Sequence, residues 1–441
     1  MASETTQSRL KPSKPVLEIT RDLEKAGFQA WCVGGAVRDA LLGHPHLDWD
    51  LATDATPDQV RTIFGRRRTI PVGIEFGTVG VLDSAGVLHE VTTFRRDVRT
   101  DGRHAEVEFG ASLDEDLARR DFTINAIAYS PTRGELHDPY AGQRDLDARV
   151  IRAVGTPLDR MQEDRLRALR AIRFAARFNF EIDPATWDAI RRSATHLTRL
   201  SAERVKQELE KTMDQVSQPS RAFRLWRESG AFDVLVPELS RVSDETLRAV
   251  DCAAQPGLRK KPGRRLIRLA VLLSDVQHAR VFDVGSRLRF SKHEAQWISG
   301  MVERWQTLDP QIAEELARGT ADGAHVRRWI AAIGRPQIHA FFRLASARWI
   351  ARRQAGATSN PAPTARAVHS LYRTSLRAAL TQPVDLRDLA VDGDDLRQVG
   401  IAPGPELGKI LSKLLELVIE NPNVNTYEQL LEQARRMYKE K

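Results

Sequence analysis

Cysteine is nearly absent from this chain: its 441 residues hold two, Cys32 and Cys252. Two thiols exclude a multi-bridge disulfide framework, and no CxxC pair or Cys/His cluster offers a zinc site. No apolar run reaches the ~18 residues that a membrane-spanning helix needs. The opening stretch MASETTQSRLKPSKP lacks the apolar core of a signal peptide and reads as a short polar arm, which is placed at residues 1–14, one short of the stretch's end. These absences lead to the expectation of a soluble, cytoplasmic protein with no membrane partner. Acidic residues are also in deficit, 59 Asp and Glu against 67 Lys and Arg, for a net charge of +8. An excess carried by arginine suits phosphate contacts, because guanidinium grips phosphate oxygens as a fork. An arginine-rich host proteome gives the same composition, so charge alone leaves both readings open.

What is present divides into two characters. The length suits about three domains at ~150 residues each. Over the first part, strand and helix signals alternate. A helical stretch at 16–26 precedes the apolar run 28–33, a buried strand. Gly34 and Gly35 then open a short helix, AVRDALLG. Residues 47–53 read as a second strand, with carboxylates and apolar residues alternating at period two. Thr56-Pro57 begins another helix, and strands at 76–82 and 87–94 flank the turn signal Asp83-Ser84-Ala85-Gly86. After Arg152 almost no strand signal remains. The stretches 163–179, 185–193, 202–213 and 220–228 carry apolar residues at helical spacing, and 354–364 (QAGATSNPAPT) reads as a linker.

The sharpest constellation is Gly34-Gly35-x-x-Arg38-Asp39 followed by Asp48-Trp49-Asp50. Side chains two apart on a strand share a face, so Asp48 and Asp50 would stand side by side. Like charges that close repel unless a cation neutralises them, and hard oxygen ligands beside phosphates favour Mg²⁺. Two such ions can activate an attacking hydroxyl and steady a leaving pyrophosphate. The glycines would let a triphosphate approach the backbone, with Arg38 adding a charge-assisted contact. Glu90, on the strand HEVTTF, is the candidate third carboxylate; an ordinary exposed strand glutamate is the competing reading.

A second constellation runs Glu163-Asp164-x-x-Arg167-x-x-Arg170-x-x-Arg173. On one helix these positions form a slowly drifting ridge. Asp164 can accept from an exocyclic amino group while Arg167 donates to the neighbouring ring nitrogen. Cytosine and adenine both present that pattern, whereas guanine and uracil would leave polar groups unmatched. The competing reading is a solvated, salt-bridged helix face. In a third stretch, DLARRDFTINAIA, Arg119 or Arg120 could reach a triphosphate and Asn125 a sugar or backbone group. Residues 96–106 (RDVRTDGRHAE) are polar and aperiodic, which predicts a mobile loop over the site.

VGGAVRDALLG with LDWDLAT, EVTTFR, DLARRDFTINAIAY, EDRLRALRAIRFAARF and SAERVKQELEK resemble successive motifs of the class II CCA-adding enzyme and bacterial poly(A) polymerase family. The resemblance is dense over residues 31–213 and thinner in RLAVLLSDV, RLRFSKHE and LAVDGDDLRQVGIAPGPELGKIL. It implies an α+β protein: a nucleotidyltransferase head with a small mixed sheet flanked by helices, then an all-α neck, body and tail. The head is placed at 15–150, the neck at 151–215, the body at 216–310 and the tail at 311–441. By resemblance Gly35 and Arg38 contact nucleotide, Asp48 and Asp50 hold Mg²⁺, and Arg120, Asp164, Arg167, Arg170 and Arg173 bind CTP or ATP. Body and tail would grip the acceptor stem and elbow of a tRNA whose 3′ end receives CCA, with no protein partner required.

Two features qualify the resemblance. Some relatives carry an HD phosphohydrolase domain, but Leu273-Ser274-Asp275 has serine where a metal-binding histidine would stand, so no phosphatase activity is expected. A flexible loop after the third strand accompanies A addition in the family, and 96–106 fits it, which argues against a purely C-adding enzyme. A-only addition, poly(A) synthesis and an inactive RNA-binding module remain as alternatives.

Overall fold

The computed structural model describes residues 9–44, 48–100, 105–253, 264–356 and 362–439. They fall into two compact units, Met1–Ser240 and Arg241–Lys441.

The first unit is organised around β1 (Ala30–Val33), whose AWCV sequence is buried at every position. Helix α1 (Lys14–Lys25) precedes it and α2 (Gly35–Leu41) follows. Then come β2 (Leu51–Thr53), α3 (Pro57–Phe64), β3 (Thr69–Gly73), β4 (Thr78–Leu82) and β5 (Leu88–Thr93). A hairpin of β6 (Arg95–Thr100) and β7 (Ala105–Phe109) leads to α4 (Leu113–Ala118), β8 (Ala128–Ser130) and β9 (Glu135–His137). The main sheet runs β3-β4-β5-β2-β1-β8-β9. The β2–β5 pair is parallel and its other pairs are antiparallel, so the sheet is mixed. Trp31, Val33, Ala52, Phe94, Leu117 and Ala128 pack as one apolar cluster beside it. Helices α3 and α4 start where the sequence supplies capping boxes, Thr56 with Gln59 and Ser112 with Glu115.

The rest of the unit is mainly helical. It holds α5 (Gly142–Ala148), β10 (Val150–Ile151), α6 (Pro157–Glu163), α7 (Leu166–Phe178), β11 (Glu181–Ile182), α8 (Pro184–Ser193), α9 (Ala202–Gln215), α10 (Pro219–Ser229) and α11 (Ala231–Leu235). Strands β10 and β11 form a two-residue parallel pair, too short to leave a periodic signal.

Several expectations need correction. The strand expected at 47–53 begins at Leu51, so Asp48 and Asp50 lie in the segment before it; residues 45–47 are outside the described ones. The Asp50 carbonyl still accepts from the Val33 amide at 3.0 Å, which continues the β1 ladder to that residue. The helix expected over 163–179 is broken. Asp164 is extended (φ −144°, ψ 104°) between α6 and α7, so it does not share a helix with Arg170 and Arg173. The expected loop at 96–106 falls on the β6–β7 hairpin, with residues 101–104 outside the described ones. The ribbon forms its own two-stranded sheet; its second strand, AEVEF, alternates apolar and polar residues, a period-two signal that a loop at 96–106 cuts across. Strand β3 was unread because Pro71 and exposed Ile70 and Val72 suit an edge, where it sits.

In the second unit the described residues contain no strand. Its helices are α12 (Asp244–Cys252), α13 (Arg264–Leu272), α14 (His278–Arg287), α15 (Lys292–Arg318), α16 (Gly323–Ile333), α17 (Ile338–Ala355), α18 (Ala365–Thr381), α19 (Gly393–Gln398), α20 (Pro405–Glu420) and α21 (Tyr427–Lys439). Helix α15 runs unbroken through 310 and 311, where body was expected to give way to tail. The proposed linker at 354–364 begins within α17, and its residues 357–361 lie outside the described ones. Asp275, the aspartate of the serine-substituted HD position, pairs with Arg348 at 2.8 Å. No helix among the described residues is long and apolar enough to cross a membrane.

Candidate active site

A cleft of about 400 Å³ opens in the first unit, lined by residues far apart in sequence. Gly34, Gly35 and Arg38 come from the β1–α2 junction, and Asp50 from the approach to β2. Arg120, Asp121 and Asn125 follow α4, while Arg170, Arg173, Phe174 and Arg177 come from α7. Lys211 and Gln215 complete it from α9. Six cationic side chains thus surround a space with Asp50 in its wall.

Helix α7 places its arginines as its sequence dictates. Leu166, Leu169, Ala171, Ile172, Ala175 and Ala176 pack inward. Arg170, Arg173 and Arg177, spaced by three and four, then emerge along one side. Phe174 lies among them as an apolar platform. The guanidinium carbons of Arg173, Arg38 and Arg170 lie 4.3, 5.0 and 5.3 Å from its ring centroid.

Each cation is anchored by an acceptor. Arg38 donates to Asp39 at 2.7 Å and to the Asn125 side-chain oxygen at 2.6 Å. Burial lowers the Arg38 pKa, while Asp39 works to keep it charged. Asn125 in turn donates to Asp121 at 2.8 Å, and Arg170 binds the other Asp121 oxygen at 2.9 Å. Burial opposes the charge on Asp121, but Arg170 and the Asn125 hydrogen bond outweigh it and hold the carboxyl below its usual range. Glu208, 1% exposed, takes Arg173 at 2.6 Å and lies 3.6 Å from Lys211 and 3.9 Å from Arg170. Arg120 is held by Asp116 at 3.0 Å. These carboxylates orient the guanidinium forks before any ligand arrives, which is how a multi-cation anion site avoids flying apart.

Gly34 is required by geometry. Its φ of 73° is left-handed, and a Cβ there would stand 2.8 Å from Arg120 Nη1. The bare backbone therefore admits Arg120 to the mouth of α2.

The carboxylates behave differently. Asp50 reaches solvent, yet its carboxyl is pushed up to about 6, by burial first and then by the charges of Glu90 and Asp48, with Arg120 pulling the other way. Glu90 is on the exposed face of β5, and Asp48 is exposed. Among the described residues no three His, Cys, Asp or Glu side chains form a ready-made metal cage. The donor set nonetheless fits a hard cation, because mutual repulsion of these carboxylates is the strain such an ion relieves.

The two residues expected to read the base touch through their main chains, the Arg167 amide donating to the Asp164 carbonyl at 3.0 Å, but their side chains turn to other partners and neither lines the cleft. Both Asp164 oxygens accept from Arg204, at 2.9 and 2.8 Å. Arg167 donates to Glu163 at 2.8 Å and to the Arg119 carbonyl at 2.8 Å. Arg119 pairs with Asp116 at 2.8 Å rather than entering the cleft.

Sequence reasoning missed Asp121, Phe174, Arg177, Glu208, Lys211 and Gln215. Arg177 was within reach as the next step of the Arg170–Arg173 ridge. Glu208 and Lys211 carried no signal, since an i,i+3 charge pair is ordinary on an exposed helix.

Three family models match: the poly(A) polymerase head domain over residues 30–152, the RNA and SrmB-binding site of polymerase A over 179–243, and tRNA nucleotidyltransferase domain 2 over 368–434. The chain is 33% identical over 447 residues to a CCA-adding enzyme of Limosilactobacillus fermentum, spanning 100% of both chains. It is 32% identical over 456 residues to one from Streptococcus sanguinis, covering 95% of this chain and 96% of that one. Among solved structures, the Bacillus stearothermophilus CCA-adding enzyme in complex with CTP aligns over 97% of this chain and 99% of its own, with a TM-score of 0.74 and 28% identity.

Proposed function

The chain belongs to the class II CCA-adding enzyme family, and on that premise we propose that it adds C, C and A to the 3′ end of tRNA from CTP and ATP. The observation that carries this reading is the cleft in which five arginines and Lys211 gather opposite Asp50. In the reaction the tRNA 3′-oxygen attacks the α-phosphorus of the nucleotide, a new P–O bond forms, and the bond to pyrophosphate breaks. Asp48 and Asp50 would hold Mg²⁺, with Glu90 acting on Asp50 through its charge; a bound divalent ion would supply charge neutralisation for the transfer. Arg38, Arg120, Arg170 and Arg173 bind the triphosphate, and the main chain at Gly34 and Gly35 lets it approach. Asn125 holds Arg38 and so sets its angle.

Asp164 and Arg167 choose the base. To do so, Asp164 exchanges Arg204 for the exocyclic amino group of C or A, and Arg167 exchanges Glu163 for the ring nitrogen. Those partners keep both side chains satisfied without a nucleotide, so nucleotide binding and the exchange occur together. A protein template of this kind rejects G and U because each would leave both side chains facing like partners. The neck is assigned to residues 151–215, and body and tail, 216–310 and 311–441, hold the acceptor stem and elbow of the tRNA. That duplex is read chiefly through shape and phosphates, and the site of action is the cytoplasm.

The metal assignment is tested with Asp48→Ala and Asp50→Ala on a tRNA ending before CCA. Both variants should lose C and A addition together while binding tRNA about as tightly as the parent, since phosphate contacts dominate RNA affinity. Near-normal turnover in either variant would remove that residue from the metal site.

A further inference from the structure

We propose that the second unit contains its own nucleotide site: a cavity between α12, α17 and α18 that takes one nucleobase together with its phosphate. The cavity measures about 370 Å³ and is lined by Phe342, Arg343, Arg353, Tyr372 and Cys252, among others. That volume is near the low end of the ~300–1,000 Å³ typical of small-ligand sites. It admits one nucleotide and excludes an RNA stem.

One wall is aromatic. The Phe342 and Tyr372 rings are 5.4 Å apart, and His339 lies 6.2 Å from Tyr372 with its Nδ1 3.0 Å from the hydroxyl. His369 also lines the cavity and is exposed. Flat rings of this kind receive a nucleobase by stacking, with little dependence on sequence.

The second feature is the positive charge of Arg343 and Arg353 in the lining. Arg343 donates to the Ala253 carbonyl at 3.0 Å, and Arg353 donates to the Pro363 carbonyl. Among the described residues neither has a carboxylate partner. Elsewhere on α17 the pattern is different: Arg348 pairs with Asp275 at 2.8 Å and Arg352 with Asp309 at 2.8 Å. No acidic side chain lines the cavity, and the internal stretches 254–263 and 357–361 contain no Asp or Glu. Burial, and then the charge of Arg264, makes the Arg343 cation harder to keep. Each of these half-buried cations, ten residues apart along α17, is relieved by an anion, and a guanidinium fork matches phosphate. Aromatic wall and phosphate-matched arginines in one small cavity select a nucleotide over an inorganic ion or an apolar ligand.

The nucleotide has two sources, free in solution or unpaired within the bound RNA; the second rests on the tRNA reading above. The test uses the full chain and two variants, Arg343→Ala and Tyr372→Leu, with His369→Ala replacing either one if its melting temperature falls. In the first arm AMP is titrated calorimetrically with CTP saturating the catalytic cleft. A free-nucleotide site gives one AMP per chain, weakened about tenfold or more in the variants. In the second arm, KM for tRNA lacking CCA is measured. An RNA-borne nucleotide gives no AMP binding, but a KM for tRNA raised about fivefold or more, with kcat and KM for CTP unchanged. If AMP does not bind beside CTP and KM for tRNA is the same in parent and variants, the proposal is overturned. A parent protein that binds AMP but incorporates no nucleotide would count against the catalytic reading alone.

Discussion

Asp50 is where the residue-level chemistry is most sharply poised. Its carboxyl sits at about 6 because burial, Glu90 and Asp48 all disfavour the charged form. The folded value lies above the ordinary 3.8, so folding stability present at low pH is lost as pH rises through about 4 to 6 in the metal-free chain. A neutral side chain there removes the conflict. Asp50→Asn should therefore melt higher than the parent in chelator at pH 7 while losing nucleotide addition, and the difference should shrink at acid pH. Scanning calorimetry at two pH values checks it. The same proton competes with metal, so the divalent-ion concentration needed for half-maximal activity should rise about tenfold per pH unit below about 6. A half-saturation concentration independent of pH between 5 and 7 would remove Asp50 from the metal site. Gly34 supplies a second prediction. Gly34→Ala forces a side chain onto a positive-φ backbone at a cost of ~1–3 kcal/mol and crowds Arg120, so KM should rise for CTP and ATP alike. Steady-state kinetics with each nucleotide measures that.

Among the elements, α7 and α9 do most to shape the cleft. Glu208 on α9 gathers Arg170, Arg173 and Lys211, so Glu208→Gln should raise KM for both nucleotides by roughly tenfold, a loss of one charged contact's worth. Selectivity among nucleotides should stay unchanged, because none of those cations is assigned to the base. Asp164→Ala should do the reverse: discrimination against UTP and GTP falls by roughly 10–100-fold, with tRNA binding intact. Competition assays with paired nucleotides separate the two outcomes. At this scale the sequence was legible where periodicity is strong. The arginine ridge, the buried β1 and the capped α3 could all be read from spacing. The break at Asp164 could not, because Glu163 to Asn179 keeps helical spacing across it, and only the pairing of Asp164 with Arg204 and the extended backbone reveal the kink. The β6–β7 hairpin was only partly legible, since RRDVRT shows no alternation whereas AEVEF does.

For the whole molecule, the class of fold could be read from a few dense motifs, and the spacing of those motifs also pointed to Gly34, Gly35, Arg38, Asp50, Arg120, Asn125, Arg170 and Arg173, which line the cleft. The division at Ser240 could not, since helices on both sides of it share one composition and no Gly/Pro-rich linker marks the boundary. The same holds for the second unit, whose fold depends on which amphipathic faces pair. A net charge of +8 predicts that tRNA affinity falls steeply with salt, about tenfold or more between ~50 and ~200 mM, and filter binding across that range measures it. The most direct test of the whole account is extension of a tRNA ending before CCA, with each nucleotide offered singly and then in sequence. The account predicts two C additions with CTP, one A addition only after them, and none with GTP or UTP. Addition of A solely to a preformed CC end, or long A tails on unrelated RNA, would contradict it.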